Sequence, residues 1–142
     1  MSEQNFKNHG RYIPLWHFIT PLVIAGILGW GIVLFVDHHM FTHFLGVAMI
    51  LISFVLLMVW WYARVFALKA QNRAIRAEEN FRHFILTGKP LDSKLHMAQI
   101  IALRFASDAE MPALAKKAVE DNLSQKQIKE AIQNWKADNN RV

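Results

Sequence analysis

The sequence predicts an all-α membrane protein: a two-helix transmembrane hairpin, a second helix extended into a cytoplasmic stalk, and a small C-terminal helical bundle. Three observations predict it. Two uncharged runs, residues 18–36 and 44–63, each reach the length that crosses a hydrocarbon core of about 30 Å at 1.5 Å per residue. The seven residues between them carry no Lys or Arg, whereas basic residues flank the far ends of both runs. Beyond the second run the chain continues to Gly88 without Pro or Gly, and small apolar residues recur at alternating spacings of three and four. In 142 residues, 54% hydrophobic and 19% charged composition excludes a disordered chain. The absence of cysteine excludes disulfide frameworks, thiolate metal sites and cysteine nucleophiles.

Residues 1–17 read as a cytoplasmic tail and interfacial segment, 18–63 as the hairpin, 64–88 as the stalk and 89–142 as the head. The first span is kept in the mature chain, because a signal peptide has a shorter apolar core and a small-residue cleavage site, and DHHMFTH follows Val36 instead. Pro14 suits a first helical turn. Pro21 lies inside the span and is expected to kink it, with a neighbour satisfying the freed carbonyl. Ala25 and Gly29, one turn beyond Pro21, together with Gly46 and Ser53 on the second span, allow helices to approach closely. Such a seam either closes the hairpin on itself or pairs different protomers.

Seven residues, Asp37 to His43, form a loop short enough to force a tight antiparallel hairpin. Lys7 and Arg11 precede the first span; Arg64, Lys69, Arg73 and Arg76 follow the second. The positive-inside rule therefore puts both termini in the cytoplasm and the loop outside. Tyr12, Trp16, Trp60, Trp61 and Tyr62 supply aromatic anchors for the inner interface. The lipid bilayer is the first partner implied.

One helix is expected from about Phe44 to Thr87, with Gly88 as its C′ residue and Pro90 beyond. Its cytoplasmic part would extend roughly 35 Å. Ala63, Ala67, Ala70, Ala74, Ala77, Phe81 and Phe84 are separated by 4, 3, 4, 3, 4 and 3 residues, the a/d rhythm of a coiled coil. This line is either a self-association seam or the face on which the chain's own C-terminal helices rest. Glu78 and Glu79 point about 100° apart, which suits solvation. Residues 64–89 hold six basic and two acidic side chains, a surplus that attracts anionic lipid.

In the head, Asp92 or Ser93 is expected to cap a helix through KLHMAQIIALRF. Ser107 with Glu110 and Ser124 with Gln127 have capping-box form. The helices they introduce carry Met111, Leu114, Ala115, Ala118 and Val119, and Ile128, Ala131, Ile132 and Trp135, each with amphipathic spacing. Loops of two to four residues are expected between them. Residues 90–142 hold eight Lys/Arg against seven Asp/Glu, too little basic footprint for duplex binding, so no nucleic acid is expected.

His38, His39 and His43 crowd the outer loop beside Asp37, a candidate Zn²⁺ or Cu²⁺ set because residues 39 and 43 are one helical turn apart. His17 lies at the opposite depth, so a bis-histidine haem clamp within one chain is excluded, and no other cofactor is expected. Neither span contains an ionisable residue of the kind that marks an ion path. With no phosphate-binding loop, nucleophile elbow, zincin motif or paired carboxylates in a cleft, no enzyme is expected.

The string KAQNRAIRAEENFRHFILTGKPLD, then AQIIALRFASDAE, with NFKNH near the N-terminus and IKEAIQNWKAD near the end, resembles a family of small, uncharacterised bacterial two-span membrane proteins, a domain of unknown function. The resemblance spans nearly the whole chain. It implies a bacterial inner (plasma) membrane setting and carries over no catalytic, binding or cofactor residues. The expectation is a non-catalytic interaction or assembly component that forms a homo-oligomer or docks on a membrane protein partner. The alternatives are an oligomeric channel or transporter-like protein built from several hairpins, and metal binding by the outer-loop histidines.

Overall fold

The structure, a computed structural model, describes residues 12–37 and 39–138. Among them it is helical: a π-helical turn Leu15–Ile19, then α1 (Thr20–Phe35), α2 (Met40–Thr87), α3 (Met97–Leu103), α4 (Met111–Glu120) and α5 (Gln125–Ala131). The chain separates into two compact units, Arg11–Phe66 and Ala67 onward, and α2 contributes to each. Two helices, Leu15–Phe35 and Met40–Thr87, are long and apolar enough to cross a membrane.

In the first unit, helical winding starts three residues earlier than the apolar run suggested. Pro21 explains the form this takes. In the wide turn each amide reaches five residues back, and Thr20 N–H donates to the Leu15 carbonyl. The next amide would reach Trp16, but Pro21 has no N–H. The Trp16 carbonyl instead accepts the Trp60 indole N–H at 3.1 Å. Pro21 thus sits in the first turn of α1, at a change from π to α winding, and its freed acceptor is satisfied by the second helix.

The inter-helix connection is Val36–His39, not residues 37–43, and α2 starts at Met40. The extra turn forms because the His39 carbonyl accepts His43 N–H at 3.0 Å and Thr42 Oγ1–H at 2.8 Å. The His43 ring Nδ1–H then donates to the Phe35 carbonyl at 2.7 Å, at the end of α1.

The hairpin closes on a different face from Ala25 and Gly29, which are both exposed. Ile24 and Gly31 are the buried positions of α1, Gly46 and Ser53 are buried on α2, and Gly31 lies against Gly46. A Cβ at Gly46 would fall on the Phe35 amide nitrogen and lie 2.7 Å from the Gly31 carbonyl oxygen. Here two backbones touch, and only glycine permits it. The Ser53 hydroxyl, fully buried, donates back to the Met49 carbonyl at 2.8 Å. Outward, both helices present large apolar side chains, among them Phe18, Leu22, Trp30, Val33, Phe44, Phe54 and Val59.

In the second unit, Ile75 of α2 joins Leu95, Ile100, Leu103, Met111, Leu114, Ala118 and Ile128 in one core. Helix α2 ends as its sequence signals: Gly88 adopts φ +72° and its N–H donates to the Phe84 carbonyl at 2.8 Å. Helix α3 is shorter than the run KLHMAQIIALRF. Asp92 closes a local turn on Lys94 N–H, so neither it nor Ser93 caps the helix. His96 does, with Gln99 reaching back to the His96 N–H at 2.8 Å. The rest of the Gln99 amide is buried and donates to the Leu123 carbonyl at 2.9 Å, tying α3 to the end of α4. There Asn122, at φ 47°, makes the left-handed C′ step, and Leu123 N–H returns to the Ala118 carbonyl.

Of the two predicted capping boxes, Ser124–Gln127 forms and Ser107–Glu110 does not. Glu110 is engaged elsewhere: its carboxylate accepts the N–H groups of Gln133 and Asn134 and the Asn134 side-chain amide. Those amides are thereby withdrawn from α5, which ends at Ala131 instead of continuing to Trp135. The α3–α4 connection, residues 104–110, is correspondingly longer than expected. Trp135 arrives in extended backbone, bridges to Ala106 and stacks on the buried Phe105 ring at 4.6 Å.

Candidate functional site

The long helix α2 carries two lines of residues with heptad spacing in its second half. One is the alanine line, Ala63, Ala67, Ala70, Ala74, Ala77, Phe81 and Phe84. The other is Leu68, Asn72, Ile75, Glu79 and Arg82, also spaced 4, 3, 4 and 3. At 100° per residue the two run roughly 150° apart around the helix. The chain's own C-terminal helices rest on the second line, where Ile75 and Glu79 are buried and Leu68, Asn72 and Arg82 half-buried. Of the two alternatives for the alanine line, the one that rests the chain's own C-terminal helices on it is not the arrangement found among the described residues. That line stays exposed, apart from a half-buried Ala67, and it ends in Phe81 and Phe84 with 65% and 51% of their surface open.

Glu79 is correspondingly not the solvated carboxylate its sequence position suggested. Arg82 gathers three acceptors: Nη1 donates to Glu79 Oε2 at 3.0 Å, Nη2 to the Ala106 carbonyl at 2.7 Å, and Nε to Asp108 Oδ1 at 2.6 Å. The hydrogen bond and charge of Arg82 hold the Asp108 carboxyl below the usual aspartate range. This fork joins α2 to the 104–110 connection and fixes which face of the helix is covered. The sequence signal was slight: between Lys69 and Asn80, Ile75 is the one apolar residue larger than alanine.

On the exposed side, Arg73 and Glu78 flank the alanine line, and among the described residues neither has an ion-pair partner. Lys69 and Arg76 are likewise exposed and Arg64 is half-buried. Of the aromatic anchors, Trp16 and Trp60 stack at 6.1 Å, whereas Tyr12, Trp61 and Tyr62 point outward.

For the histidines, His38 lies outside the described residues. His39 is exposed, and His43 has one ring nitrogen committed to the Phe35 carbonyl and its ring against Phe35 at 4.5 Å. Among the described residues no group of three metal-ligating side chains comes together. His17, at the other end of α1, meets the Ile13 carbonyl through Nδ1 at 2.9 Å.

The model of a family described as "Family of unknown function (DUF6526)" matches the chain over residues 1–142. No curated protein and no solved structure matches it.

Proposed function

The chain belongs to the DUF6526 family, and from that premise we propose that it is a non-catalytic bacterial inner-membrane assembly component that self-associates through the exposed alanine line of α2. The observation that carries the reading is the division of labour on that helix. One heptad line is used by the chain's own head and the opposite one is left open, although it has spacing suited to a close-packed helix partner. Alanine positions bury little area each, so they favour helices whose axes come unusually near, with Phe81 and Phe84 adding most of the apolar burial.

Membrane residence is supported by the hairpin's surface. Only 11% of the most apolar window of each long helix is buried, so the large apolar side chains face outward, as lipid requires and water penalises. The absence of Lys and Arg from the hairpin end and the Arg and Lys that follow Ala63 support cytoplasmic termini.

The mass of the full-length protein in lipid nanodiscs or mild detergent tests this reading. More than one copy per particle is expected. A monomer across the accessible concentration range overturns it.

A further inference from the structure

Resting on that self-association reading, the arrangement of charges beside the alanine line says how a second copy would sit. In heptad terms Ala67, Ala74 and Phe81 are a positions and Ala70, Ala77 and Phe84 are d positions. Arg73 then falls at g and Glu78 at the following e. In a parallel, in-register pair of helices each g residue faces the e residue five positions later on the partner. Arg73 and Glu78 are both exposed and, among the described residues, without ion-pair partners, and within one chain they lie five apart, where helical neighbours do not meet.

Two copies inserted with the same topology in one membrane also present their α2 helices in the same direction, which leaves only parallel pairing. Counting in sevens back along α2 gives Gly46, Met49, Ser53, Leu56, Trp60 and Ala63. Three of these meet the hairpin's other helix, Gly31 lying against Met49, Phe35 against Gly46 and Trp16 against Trp60, while Leu56 and Ala63 are exposed.

We propose that two copies pair their α2 helices in parallel and in register along residues 67–84, with Arg73 of each copy set against the partner's Glu78. The pair forms twice across the two-fold axis. A register slip by one heptad removes it, since position 66 is Phe, position 71 is Gln, position 80 is Asn and position 85 is Ile.

The chain has no cysteine, so single introduced cysteines report cleanly. In native membranes, full-length Ala70→Cys and Ala74→Cys are expected to oxidise to dimers, and Lys69→Cys and Arg76→Cys, on the outer side of the helix, are not. In the Ala74→Cys background, Arg73→Glu or Glu78→Arg alone should slow dimer formation roughly tenfold, because two attractive pairs become repulsive ones. The combined Arg73→Glu/Glu78→Arg protein should recover the original rate. Dimers at 70 and 74 that ignore the charge changes, or equal crosslinking at 69 and 76, overturn the parallel register while self-association stands. No dimer at any of the four positions in a protein of multimeric mass overturns the proposed face. Monomeric Ala70→Cys and Ala74→Cys proteins whose introduced thiols are shielded from a water-soluble maleimide overturn the whole reading.

Discussion

Gly46 and Gly26 are both glycines of the hairpin, yet the structure gives them opposite meanings. At Gly46 a methyl group would land on the Phe35 backbone, which cannot move aside without separating the helices, whereas at Gly26 it would meet nothing within 4 Å. Gly46→Ala is expected to lower hairpin stability by about 1–3 kcal/mol, read as a lower denaturation midpoint in mixed micelles, and Gly26→Ala to leave it unchanged. Arg82→Ala should cost on the order of 3 kcal/mol in chemical denaturation, because Glu79 stays buried without its cation. Asp108 adds a pH dependence of definite sign. Its folded pKa is depressed, so its contribution is complete above the unfolded value of about 3.9 and is lost as pH falls below that through the folded value. A denaturation midpoint followed from pH 6 to pH 2 should fall in the native protein and flatten in Asp108→Asn.

At the scale of the element, α5 shows how a short helix is ended from outside. Its start is local and legible: Ser124 accepts the Gln127 N–H and Gln127 reaches back to the Ser124 N–H. Its end depends on Glu110, a residue far away in sequence. Glu110→Ala should release the amides of Gln133 and Asn134, let α5 extend toward Trp135 and break the Phe105–Trp135 stack. A gain in far-ultraviolet helical signal with loss of near-ultraviolet aromatic signal is the expected result. The same contrast governs α2. Its C-terminus at Gly88 was readable from one glycine followed by a proline, while its start at Met40 rested on His39, Thr42 and His43 contacts that hydropathy does not register.

For the whole molecule, the two faces of α2 separate folding from association. Ala74→Glu places a charge on the open face, so thermal unfolding of the single chain should be unchanged while the particle mass drops to that of a monomer. Periodicity alone made the alanine line the more conspicuous of the two, since five alanines in heptad register stand out. The line Leu68–Asn72–Ile75–Glu79–Arg82 was masked by its polar members. Glu79 is tolerated in a buried position because Arg82 pairs with it, and Asp108 and the Ala106 carbonyl, contributed by the 104–110 connection, complete the hydrogen bonds of Arg82.

Local propensity, charge and length were enough to dictate two uncharged helical runs, the tight turn between them, the end of the long helix at Gly88 and the amphipathic order of α4. Long-range contacts set which small residues close the hairpin, where α3 begins and ends, where α5 ends, and which side of α2 is covered. Spacing defines a helix face without naming its partner. A buried Glu, Arg or Gln becomes tolerable only when acceptors and donors from distant parts of the chain arrive to meet it.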